Sequence, residues 1–166
     1  VPIIGAPQTE YMIHKFQTFD KIKESIFKSN NNYFAVSHFE KKTNPSDSNN
    51  TESENPFLAY LALTPDERGV FLSRIYVKKE ARNQGIAKML IDFALNLTRE
   101  EIQKNEKFSN ENRPCLWLTV NKKNMNSIDF YKKRGLVIEN ERKLDIGNGF
   151  YMDDYLMALY LDCKIK

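Results

Sequence analysis

The chain has 166 residues, 41% of them hydrophobic and 12% aromatic, enough to bury one sizeable core and too few to build two comfortably. Its 25 basic and 22 acidic residues leave a net charge of +3, too mild to make nucleic acid or an anionic membrane the main partner. No apolar run approaches the ~18 residues of a membrane span, and the opening "VPIIGAPQTEY" lacks the charged and apolar regions of a secretion signal, so the expectation is a cytoplasmic, soluble protein.

Thr18 can cap a short helix in which Phe19, Ile22 and Ile26 recur at helical spacing before the polar "SNNN". "YFAVSHF" (33–39) and "FLAYLAL" (57–63) read as strands. The polar stretch between them predicts a flexible hairpin insert over 41–56. "TPDERG" (64–69) carries turn chemistry and leads into the strand "VFLSRIYV" (70–77). These three strands are expected to form an antiparallel meander.

From Gly85 onward, Ile86, Met89, Leu90, Phe93, Ala94, Leu97 and Ile102 fall on one helical face. The unbroken apolar run "CLWLTV" (115–120) suits a strand buried on both faces, parallel to 70–77 through a right-handed crossover. "NMNSIDFYKKRG" (124–135) opens on asparagines able to cap a helix and closes on a glycine able to end it. Two more strands, near 136–141 and 150–162, complete an α+β architecture with a mixed, mostly antiparallel sheet, a central parallel pair and flanking helices.

Chemistry concentrates at the strand-to-helix junction "RNQGIA" (82–87). A helix entered directly from a strand presents free backbone N–H groups and a positive dipole end, and small residues at Gly85 and Ala87 leave them unshielded, which suits a pyrophosphate. The spacing is neither a Walker loop nor a dinucleotide fingerprint. Other candidates are weaker. Cys115 and Cys163 form no metal-spaced set, His14 and His38 have no ligand partner at useful spacing, and Ser73 and Ser127 lack a nucleophile elbow. Asn49 and Asn96 match the glycosylation pattern without an export signal. Lys132, Lys133 and Arg134 are accounted for by the dipole at a helix C-terminus, without invoking RNA.

"IYVKKEARNQGIAKMLI" resembles the acyl-CoA motif of the GNAT acyltransferase superfamily, a strand followed by Arg/Gln-x-x-Gly-x-Gly/Ala and a helix. "NMNSIDFYKKRGL" is similar to that family's Asn-x-x-Ala-x-x-x-Tyr pattern, with Ser127 in place of Ala and Leu136 in place of Phe. Both segments occur in the family's order, with "LWLTV" between them, and the resemblance covers about 18–162.

The resemblance implies a single GNAT acyl-CoA N-acyltransferase domain over 1–166, with acetyl-CoA as acyl donor and no metal. It implies that the strands splay, so that Ile75, Tyr76 and Val77 bond the pantetheine arm and a backbone amide faces the thioester oxygen. Arg82, Asn83, Gln84, Gly85, Ile86, Ala87 and Lys88 would line the pyrophosphate, Asn124 would bond the pantetheine, and Lys133 would meet an adenosine phosphate. Tyr131 would protonate the departing CoA thiolate as general acid. By itself a tyrosine beside Phe130 reads as a core residue. The base stays open among Asp153, Asp154, Glu80 and a water chain, and the adjacent aspartates on one strand face opposite ways.

The expected acceptor is a small-molecule amine or a protein amino group, and a homodimer is compatible with the resemblance. "DIGNGFYMDDYLMALYL" is similar to the end of branches that include spermidine/spermine N-acetyltransferases, where Asp145, Asp153 and Asp154 would attract a polyamine. The alternative is a noncatalytic acyl-CoA-binding or protein-interaction module on the same fold. The family usually begins with a strand and a helix, and "VPIIGAPQTEYMIHKF" looks like the segment just after that helix. An upstream segment of roughly 25–35 residues is therefore expected.

Overall fold

The computed structural model describes residues 3–27, 30–37, 57–105, 107–108 and 113–162. The insert expected at 41–56, together with His38, Asn49 and Cys163, lies outside them. The elements run α1 (Ala6–Phe16), α2 (Phe19–Phe27), β1 (Asn32–Ser37), β2 (Phe57–Asp66), β3 (Gly69–Val77), α3 (Ile86–Lys104), β4 (Cys115–Asn121), α4 (Met125–Lys132), β5 (Val137–Gly147) and β6 (Phe150–Tyr160). Among the described residues, six strands form one sheet in the order β1-β2-β3-β4-β6-β5, in which only β3 and β4 are parallel. The antiparallel meander and the parallel pair spanned by α3 are thus both present.

The core lies between the sheet and α3 with α4. Leu61, Val70, Leu72, Leu116, Leu118 and Met157 on the strands meet Leu90, Ile91, Ala94, Ile128 and Tyr131 on the helices. Each large aliphatic side chain removed from water there contributes about 1.5–3 kcal/mol. The buried face of α3 is rotated from the expected one. Met89 and Phe93 remain 50% and 39% exposed, whereas Ile91, Leu95 and Thr98 are buried. The apolar stripe of α3 is broad, and docking on β2 and β3 selects which edge of it goes inside. Thr98 is tolerated there because its hydroxyl donates to the Ala94 carbonyl at 2.7 Å.

Two boundaries and one element differ from expectation. The strand β2 runs through Thr64 to Asp66, so the turn narrows to Glu67 and Arg68. The strand β5 continues to Gly147, its polar residues largely exposed and held by pairing with β6. The helix α1 was not anticipated. None of its residues is buried; it is held by distant partners. Gln8 donates to the Tyr151 carbonyl at 2.6 Å, Tyr11 donates to the Ile146 carbonyl at 2.7 Å, and the Tyr11 and Phe150 rings lie 5.3 Å apart.

Candidate active site

The parallel ladder between β3 and β4 consists of three pairs, Gly69 with Cys115, Val70 with Leu116 and Phe71 with Trp117. Beyond Phe71 the strands part, and one edge of 72–77 has no strand partner among the described residues. A β-bulge marks the divergence. Opposite β2 the register passes from Arg74 to Leu72, leaving Ser73 as an extra residue whose hydroxyl donates to the Ala62 carbonyl at 3.1 Å. Such an insertion bends its strand and sharpens its twist. The closed end is pinned by contact: a Cβ at Gly69 would lie 2.3 Å from the Cys115 carbonyl oxygen. Stacking of Phe71 on Trp117, with centroids 4.2 Å apart, and a 2.9 Å bond from the Trp117 indole to Asp66 reinforce it. In the resulting wedge this edge of β3, along Ile75 to Val77, lacks a strand partner among the described residues, as a sheet edge offered to an extended ligand does, with the Val77 carbonyl taken by the Arg82 side chain.

The turn leading into α3 sits at the wide end of this wedge. Asn83 and Gly85 both adopt left-handed conformations, with φ of 63° and 80°. No side chain caps α3 at Gly85, and a Cβ built there meets nothing within 4 Å. The first amides of the helix therefore open onto space. Arg82 and Gln84 fold back instead, donating to the Val77 and Glu80 carbonyls at 3.2 and 3.0 Å. The Lys88 ammonium pairs with Asp92 at 2.6 Å. Backbone groups, not side-chain charge, dominate this turn.

The family model for the acetyltransferase (GNAT) family matches residues 48–136, the stretch that holds the wedge, the turn and α4. The chain belongs to this family. An uncharacterised N-acetyltransferase of Lactobacillus delbrueckii subsp. lactis is 31% identical over 50% of this chain and 42% of its own length. The peptidyl-lysine N-acetyltransferase YjaB of Salmonella typhimurium is 27% identical over 57% of this chain and 52% of its own. The alignments thus span about half the length of these relatives. Among solved structures, the spermidine/spermine N-acetyltransferase SpeG of Vibrio cholerae superposes with a TM-score of 0.57 at 19% identity, over 87% of this chain and 76% of that one. A putative streptothricin acetyltransferase of Bacillus anthracis, solved with acetyl coenzyme A, superposes with a TM-score of 0.60 at 20% identity, over 90% and 72%. At these identities the structures establish the GNAT fold.

Within this GNAT frame, Tyr131 projects from α4 and is 7% exposed. Its ring meets Phe130 edge-on, with centroids 5.5 Å apart. No described residue hydrogen-bonds its hydroxyl, and burial alone pushes its pKa up to about 12. Asn124 caps α4 by accepting from the Ser127 amide at 3.3 Å, which leaves its NH2 group as a donor. Lys133 is exposed at the C-terminal end of that helix. Among the described residues no His/Cys/Asp/Glu cluster of metal-binding size occurs, and no helix is long and apolar enough to cross a membrane.

The acids sort themselves by partner. Asp153 pairs with Lys122 at 2.7 Å, and Glu80 lies 3.8 Å from Lys78. Asp145 accepts from the Gly147 amide at 2.7 Å. Asp154 is 5% exposed, and burial raises its pKa against the opposing effects of Arg142 and a hydrogen bond from Asn121. Asp153 and Asp154 thus take opposite faces of β6. Sequence reasoning missed the Ser73 bulge and the close approach at Gly69. The "ERG" turn was the available signal for Gly69, but its cause is a strand 46 residues further along.

Proposed function

We propose that the chain is an N-acetyltransferase that moves an acetyl group from acetyl-CoA to a primary amine in a ternary complex. The three-pair ladder of β3 and β4 carries this reading, because the wedge above it provides an unpaired strand edge beside an open helix N-terminus. In support, a fold neighbour was solved with acetyl coenzyme A. Backbone amides from Gln84 to Ala87 would receive the pyrophosphate, the free edge at Ile75–Val77 would align the pantetheine, and the Asn124 NH2 group would donate to it. Arg82, Asn83 and Lys88 would flank the phosphates, and Lys133 would meet an adenosine phosphate.

Attack by the amine forms a C–N bond and breaks the thioester C–S bond. A strand amide in the wedge would stabilise the oxyanion that develops in between. Tyr131 would give its proton to the leaving thiolate. A phenol with a pKa of about 12 remains protonated at neutral pH, as a general acid must. The amine proton must also leave. Glu80, Asp153, Asp154 and a water chain are the candidates to take it, and the pKa of Asp154, raised by burial, suits a base.

The test follows thiol release from acetyl-CoA with a panel of primary amines, for native protein and Tyr131→Phe, with the acetylated product identified by mass. Turnover that collapses in the variant while acetyl-CoA still binds is expected. Tight CoA binding without turnover on any amine would instead identify a noncatalytic binding module.

A further inference from the structure

A cavity of about 250 Å³ opens between α1, the β5–β6 hairpin and the end of β4. Ile4 and Gln8 form one wall, Gly149, Phe150 and Tyr151 another, and the charged part comprises Lys122, Lys123, Lys143 and Asp153. The cavity begins where β4 ends, since Asn121 lines it and the Asn124 cap of α4 follows three residues on. Its wall is fixed by the bonds from Gln8 to Tyr151 and from Tyr11 to Ile146.

The charge balance selects the ligand. Among the described residues Asp153 is the one lining carboxylate; the Lys122 ammonium bonds it at 2.7 Å and is shared with Glu141 at 2.7 Å. Lys123 and Lys143 have no carboxylate partner among the described residues; the Lys143 ammonium lies 4.9 Å from the Tyr151 ring centroid. Counting Glu141, three lysines face two carboxylates, so the cavity keeps one cation in excess, which disfavours a polyamine. Of the other acids expected to attract it, Asp145 caps the Gly147 amide and Asp154 is buried opposite Arg142. A carboxylate, by contrast, would find two ammonium donors with little else to release.

We propose that this cavity receives the acceptor, and that the acceptor is a primary amine that also carries carboxylate groups, held by Lys123 and Lys143. The assignment replaces the cationic acceptor expected from the sequence, and it rests on the N-acetyltransferase reading. The two lysines set specificity; they take no part in the bond changes.

Acetyl transfer to L-glutamate, glycinamide and spermidine, measured with native protein and the double variant Lys123→Gln/Lys143→Gln, tests it. Both lysines are exposed, so the variant should keep its fold. Native protein should prefer glutamate, and the variant should lose about 30-fold or more in kcat/KM for glutamate, chiefly through KM. Glycinamide turnover should change less than about threefold. Preference for spermidine, or an equal glutamate rate in the variant, overturns the assignment. Turnover of no amine sinks the enzyme reading but leaves the cavity to calorimetry with succinate. Succinate binding that is lost in the variant supports the assignment, and no binding to native protein overturns it.

Discussion

Gly69 crosses Cys115 so closely that a side-chain carbon on the glycine would lie 2.3 Å from the Cys115 carbonyl oxygen and 2.9 Å from its nitrogen. These are backbone atoms, so no rotamer change relieves the clash, and the glycine also holds a φ of 127°. Gly69→Ala should therefore force apart the closed end of the β3–β4 wedge, at a cost of about 2–3 kcal/mol. The expected fall in Tm is about 4–12 °C, measurable by calorimetry, with weaker acetyl-CoA binding in what remains folded. An unchanged Tm would show that the strands do not need this contact.

Gly85 poses the opposite problem. Space above it is open, and only its φ of 80° opposes a side chain, a strain of about 1–2 kcal/mol. Gly85→Glu should thus leave the Tm within a few degrees while placing a carboxylate over the amides proposed to seat the pyrophosphate. Affinity for CoA, read by calorimetry, should drop about 100-fold or more. Unaltered affinity would remove the turn from the binding site.

Tyr131 separates chemistry from stability, because its hydroxyl has no described partner to lose. Tyr131→Phe should lower kcat by about 10²–10³-fold and leave the Kd for acetyl-CoA within about twofold. Full kcat in the variant would return this tyrosine to the core-residue role that its neighbour Phe130 suggests.

The pH response carries a definite sign. Burial raises the Tyr131 pKa from the ordinary 10 to about 12 in the folded chain. Its contribution to stability is therefore complete below about pH 10 and is lost as the pH rises through about 12. Denaturant titrations at pH 9 and pH 11 should show native protein losing more stability than Tyr131→Phe over that interval. The general acid should also impose no decline in kcat below about pH 11, so a basic limb nearer neutrality must come from another group. Equal losses in both proteins would show that the phenol is not desolvated in solution.

Acid pH probes Asp154. Its pKa is raised by burial, so the folded chain favours its neutral form more than the unfolded chain does. The sign is that of an upward shift: its contribution is greatest below the ordinary carboxylate range and declines as the pH rises through the folded value. Asp154→Asn should then remove a penalty at neutral pH, leaving Tm equal or higher, while kcat falls if Asp154 is the base. Loss of Tm without loss of kcat would assign Asp154 to structure alone.

Much of the chain was decided locally. Helix α3 follows from apolar periodicity, strand β4 from an unbroken apolar run, and the bare amides before α3 from Gly85 and Ala87 at a strand-to-helix junction. The conjunction of "RNQGIA" with "NMNSIDFYKKRG" was legible because both are contiguous. Tertiary structure decided what depends on strangers in the chain. The wedge arises where the Ser73 bulge meets the end of pairing with β4. Helix α1 buries no residue of its own and exists by bonds to carbonyls 135 and 143 residues away. Among the acids of "DIGNGFYMDD", the fold brings Lys122 to Asp153 and Arg142 to Asp154. A carboxylate's worth to a ligand depends on the cation that reaches it first, and only the folded register sets that distance.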